Sequence, residues 1–177
     1  MQRTVTAIYR SYGVANLVRG ELERLGIAQH HIVVLPAVLI VPDTTDPSNS
    51  TITTKENLDH AFEQLHDLHL PESDTRTYQQ ALRNGDFVVS VNLDDDADLA
   101  RVEQVMRRPE NAHHLDELDT SYSSADYEPR RQPPGEGFDE GMAGRRDDDQ
   151  LSPYTRSYRR DAPLLVPTIA LAPLGTR

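Results

Sequence analysis

The sequence predicts an α+β fold: a ferredoxin-like βαβ-βαβ sheet with its helices on one face, followed by a disordered C-terminal tail. Short β-rich runs alternate with helical apolar stripes, the arrangement of split βαβ units. The strands are too few for a doubly wound parallel sheet, the alternative. The periodic pattern also stops near residue 120 of 177.

Residues 5–9 (VTAIY) open the chain as a strand. Val14, Leu17, Val18, Leu22 and Leu25 then lie on one helical face, and Gly26 follows as a terminating glycine. Ile32, Val33, Val34 and Leu35 form a second strand, stopped by Pro36 or continued after a bulge over 37–41. Residues 42–57 are polar and turn-rich at first and read as an insertion. A helical stripe returns at Leu58, Ala61, Phe62, Leu65 and Leu68. Ser73 or Asp74 then caps a short helix carrying Tyr78, Ala81 and Leu82, which Asn84 and Gly85 end. Residues 87–93 (FVVSVNL) are the clearest strand, with Phe87, Val89, Val91 and Leu93 on one face. A helix follows on Leu99, Val102, Val105 and Met106, and 112–115 reads as a last short strand.

From about Tyr122 the chain is rich in Gly, Pro, Ser and charge, too poor in apolar surface to offset its conformational entropy. The expected division is a domain over 1–120, a disordered linker over 121–160 and an apolar C-terminal peptide over 161–177.

Composition narrows the function. Arg and Lys number 18 and Asp and Glu 29, a formal charge of −11, which opposes general attraction to nucleic acid or anionic membrane. The excess is concentrated in 55–128, with six basic and 18 acidic residues. The absence of Cys excludes disulfides, thiol nucleophiles and zinc ribbons. The N-terminus lacks the pattern of a signal peptide, and no apolar run approaches the ~20 residues of a membrane helix. A soluble cytoplasmic protein is expected.

Three passages carry a family resemblance: TVTAIYRSYGVANLVRGELERLGIAQHHIVVL, YQQALRNGDFVVSVNLDDD and ADLARVEQVMRRPENAHHLDELD. Together, over residues 3–119, they resemble the YflT-like general stress protein domain of bacterial proteins induced by heat and other stresses. The resemblance implies a stress-response context. It carries over no catalytic residue, because relatives are known by induction and not by reaction.

Motifs for catalysis are absent. No phosphate-cradling loop, nucleophile elbow or His-Glu-x-x-His occurs, and the sequence implies neither an enzyme nor a cofactor. His66, His69 and Glu63 have the helical spacing of metal ligands. The plainer reading, a polar face opposite the apolar stripe, is favoured. The pairs at 30–31 and 113–114 sit at strand entries, where they would have to meet across the sheet to share a ligand. The acidic run at 94–98 lacks the glycine and distal Glu of a calcium loop. It is better explained by helix capping, with Asp96 as the cap.

Leu164, Leu165, Val166, Ile169 and Leu171 form an aliphatic cluster spaced by Pro163, Pro167 and Pro173. A flexible linker of roughly 40 residues before it would reach about 35 Å. An apolar peptide so placed calls for something to cover it. The expected function is therefore non-catalytic: binding of a protein partner, or self-association as a homo-oligomer, through this C-terminal peptide. The alternative is a small-molecule- or metal-sensing regulatory domain of ferredoxin-like fold.

Overall fold

The computed structural model describes residues 2–36, 55–94, 96–128, 143–146 and 153–161. They form β1 (Gln2–Tyr9), α1 (Tyr12–Arg24), β2 (Ile32–Leu35), α2 (Lys55–His66), α3 (Glu72–Arg83), β3 (Phe87–Leu93), α4 (Leu99–Met106), α5 (Leu115–Ser121), β4 (Arg145–Arg146) and β5 (Arg156–Arg160). The fold is α+β, with the strands in one antiparallel sheet ordered β2-β3-β1-β5-β4.

Local signals explain the early elements. The Ser11 hydroxyl accepts from the Val14 N–H at the start of α1. At its end Gly26 has φ +97°, a left-handed conformation that residues with a Cβ resist. Gly85, at φ +91°, plays the same part between α3 and β3. The continuation of β2 over 37–41 and residues 42–54 of the expected insertion lie outside the described residues. Residues 55–57, assigned to that insertion, already belong to α2.

The helices are not confined to one face, as the ferredoxin-like expectation had them. Val5, Ala7, Tyr9, Phe87, Val89, Val91 and Leu93 pack with the apolar sides of α1 and α4. Ile8, Val88 and Leu35 face the other way, into a second core with Ala61, Phe62 and Leu65 of α2, Tyr78 and Leu82 of α3, and Leu115 and Leu118 of α5. The physical reason is visible in β3, which is buried at every position. A central strand with Val88 between Phe87 and Val89 offers apolar surface on both sides, and both must be covered.

Residues 112–115 are not a strand either. Ala112 makes a single bridge to Tyr9, and Leu115 begins α5. The His114 ring accepts from the Glu117 N–H, and Asp116 and Glu117 occupy the first turn, where acidic side chains complement the helix dipole.

The packed body also extends past residue 120. Tyr122 donates its backbone N–H to Leu118, and its hydroxyl accepts from Asn84 at 2.8 Å. The side chain of Gln79 then grips Glu128 as a backbone would. Its amide nitrogen donates to the Glu128 carbonyl and its oxygen accepts the Glu128 N–H, both at 2.9 Å. Most consequentially, Arg156–Arg160, assigned to the linker, is strand β5, hydrogen-bonded along β1 with Thr4 opposite Tyr158 and Thr6 opposite Arg156.

Candidate functional site

β5 brings a polar network into the layer between the sheet and helices α3 and α5. A strand alternates its side chains, so Arg156, Tyr158 and Arg160 share one face. Aliphatic residues would ordinarily occupy such positions. Here the polar heads are buried because partners wait for each of them.

Asp74 of α3 is the hub. Its carboxylate accepts from the Tyr158 hydroxyl at 2.6 Å and from two nitrogens of Arg146, Nε at 3.2 Å and Nη2 at closer range. The Tyr78 hydroxyl lies 2.7 Å from that of Tyr158 and 2.6 Å from Thr6 Oγ1. A carboxylate only accepts, so the direction of the chain is determined: Thr6 donates to Tyr78, Tyr78 to Tyr158, and Tyr158 to Asp74. Burial, with the Asp74 charge beside them, raises the pKa of both tyrosines, and they remain hydroxyl donors.

Arg156 forms the second half. Its guanidinium donates to Asp119 at 3.2 and 2.5 Å, a two-pronged geometry, and to Asp116 at 2.9 Å. Thr77 adds a hydrogen bond to Asp119 at 2.7 Å. The side chains of Asp74 and Arg156 are only 1% and 3% exposed, so their interaction is little screened by water. At the far end of the strand, Arg160 donates to Thr4 Oγ1 and to the Leu68 carbonyl, and Thr4 donates onward to Asn92 at 2.7 Å. Burial pushes the Arg160 pKa down to about 10.

These groups donate to and accept from one another, so the network's chemistry is that of a fastening. It ties β5 to α3, α5 and β1 by charge-assisted hydrogen bonds.

Burial alone would raise the pKa of Asp119, but hydrogen bonds from Arg156 and Thr77 and the nearby guanidinium charges outweigh it and hold the value below the usual 3.8. A lowered carboxyl contributes stability that is complete above its unfolded value and is lost as pH falls through the folded one. The chain should therefore lose stability in acid below about pH 4, and Asp119→Asn should flatten that dependence. Urea midpoints measured from pH 3 to 7 check this; equal slopes in the two proteins would exclude it. Asp86 acts with the opposite sign. Desolvation raises its pKa despite His113, whose Nε2 lies 3.1 Å away, so it favours the fold most in acid.

The residues singled out in the sequence are placed differently. His66 is engaged with the Glu128 carbonyl at 2.9 Å, Glu63 is exposed, and the carbonyl of His69 accepts from Gly144. Among the described residues no group of three or more His, Asp or Glu is arranged to hold a metal. The other histidine pairs do not meet across the sheet: His30 packs on His31, and His113 lies against Asp86. Asp96 does not cap α4 through its side chain. The cap position is Asp98, and the Asp96 carboxylate instead accepts from Arg3 at 2.8 Å, because the end of β1 lies beside that loop. Leu164, Leu165, Val166, Ile169 and Leu171 lie outside the described residues.

The cap assigned to Ser73 or Asp74 falls instead on Pro71, and sequence reasoning missed Asp74, Asp119, Arg156, Tyr158 and Arg160 as members of one network. One signal was present: the period-two spacing of Arg, Tyr and Arg in RSYRR, a strand alternation written in polar residues. Among the described residues no helix is long and apolar enough to cross a membrane. Comparison with known proteins finds no matching family model, no matching curated protein and no matching solved structure.

Proposed function

We propose that this chain is a non-catalytic cytoplasmic protein that acts by binding, presenting its apolar C-terminal segment to a protein partner or to a second copy. The bacterial stress-response context rests on the resemblance of residues 3–119 to the YflT-like domain. A ferredoxin-like core belongs to the same reading. The order β5-β1-β3-β2, with α1 and α4 packed in one core, supports two interleaved βαβ units to which α2, α3, α5 and β4 are added.

The observation that carries the reading is the anchoring of β5. The strand ends at Arg160 opposite Gln2, and Asp161 is tied to Arg145 at 2.5 Å. Leu164 follows four residues after the strand, within ~14 Å of the sheet even if fully extended. The aliphatic segment therefore starts from a fixed point on the sheet rim, not from the end of a long tether. A segment attached at a fixed point has less freedom to lose on docking than one at the end of a long tether.

Replacing both Leu165 and Ile169 with Asp should weaken association at least tenfold, since each buried aliphatic side chain contributes ~1.5–3 kcal/mol. Sedimentation velocity over a concentration series, with recovery of bound proteins from lysate, measures it. Identical profiles and identical recovered proteins for the two chains would overturn the reading.

A further inference from the structure

The strand that pairs along β1, between it and β4, is held by unusual means. Its inward side chains are Arg156, Tyr158 and Arg160, and their partners are Asp74, Asp116, Asp119, Thr4, Tyr78 and the Leu68 carbonyl. Take β5 away, together with the two-residue β4 that pairs with it and carries Arg146, and what remains is an open β1 edge beside an acidic, hydroxyl-lined cleft. Such a surface reads an extended segment in two ways at once: backbone hydrogen bonds to the edge, and alternate side chains into the cleft.

We propose that the β1 edge and the Asp74–Asp119 cleft form a receptor for an Arg-x-Tyr-x-Arg strand, and that a second copy of this chain supplies that strand by exchange of β5. Two observations favour a second copy, and a third permits it. The complementary sequence is the chain's own, down to the two-pronged Arg156–Asp119 pair. Release of β5 uncovers no aliphatic side chain of its own, and its charged heads regain water when free, which favours exchange. Finally, Glu128, gripped by Gln79, and Ala143 are separated by 14 residues. That contour spans up to ~50 Å, enough to reach a neighbouring copy. This contact is distinct from association through the C-terminal segment.

The absence of Cys makes the test direct. Arg3 and Arg159 are paired positions of β1 and β5, outside the cleft. Full-length chains carrying Arg3→Cys and Arg159→Cys separately, each also with Leu165→Asp and Ile169→Asp, are co-refolded from urea and oxidised. Exchange predicts a disulfide-linked heterodimer at least fivefold above that of Arg159→Cys with Leu17→Cys, a cysteine on the exposed side of α1. It also predicts that adding Arg156→Lys to the Arg159→Cys copy, which keeps the charge and loses the two-pronged pair with Asp119, lowers the excess at least threefold. No excess, or an excess indifferent to Arg156→Lys, overturns the proposal. Circular dichroism checks that each variant folds. If either cysteine prevents folding, Val5→Cys with Ser157→Cys, the next pair on the same face of the sheet, gives the same reading.

Discussion

Replacing Asp74 with Ala should destabilise the protein by about 3–5 kcal/mol, the cost of removing one member of a buried charge pair and leaving its partners unmatched. Three groups lose their acceptor together. Tyr158 keeps a buried hydroxyl with nothing to donate to, Arg146 loses its two-nitrogen contact, and Arg156 loses a carboxylate 3.7 Å from its guanidinium. The hydroxyl chain back to Thr6 loses its terminus as well. Asp74→Asn should cost less, because an amide oxygen still accepts from Tyr158. Urea unfolding by circular dichroism provides the comparison. A loss below about 1 kcal/mol for Asp74→Ala would mean that the network is loosely held and adds little to the fold.

Arg156→Glu should have the larger consequence. It removes the cation from a site with Asp74, Asp116 and Asp119 around it and adds a further negative charge. Loss of the pair and new repulsion act in the same direction, and the total should reach about 5 kcal/mol or more. Since whole domains are stable by only ~5–15 kcal/mol, β5 should leave the sheet, or the protein should unfold. Arg156→Lys should fall between, keeping the charge and losing the two-pronged geometry. Hydrogen exchange at β1 separates these outcomes, because Gln2–Tyr9 is flanked by β3 and β5. Loss of β5 alone should deprotect the amides bonded to β5 and spare those bonded to β3. Unchanged protection along β1 would sink the account of β5 as an electrostatically fastened strand.

Much of the fold was legible because it is written in apolar periodicity. The stripes through Val14–Leu25 and Leu58–Leu68 are helices, although Leu17 lies on the exposed side of α1, and the alternation in FVVSVNL is the central strand. Turn chemistry was equally readable: Gly26 and Gly85 adopt the positive φ their positions implied. The missed elements share a cause. Residues 115–121 carry the apolar pair Leu115 and Leu118 at helical spacing, too brief a stripe to identify a helix. β5 has no aliphatic residue, so a reading based on hydrophobicity placed it in a linker. The candidate site was the least legible part, because its members come from β1, α3, α5, β4 and β5, separated by up to 156 residues.

The sequence by itself determined which segments must bury an apolar face, where α1 and α3 end, and that no disulfide or thiol chemistry contributes, because each follows from residue type and local spacing. Only the tertiary structure decided that the sheet is covered on both faces and that the RSYRR segment lies inside it. The reason is electrostatic: Arg156, Tyr158 and Arg160 become interior residues only where distant donors and acceptors converge on them. That convergence is a property of the assembled chain, and no local pattern encodes it.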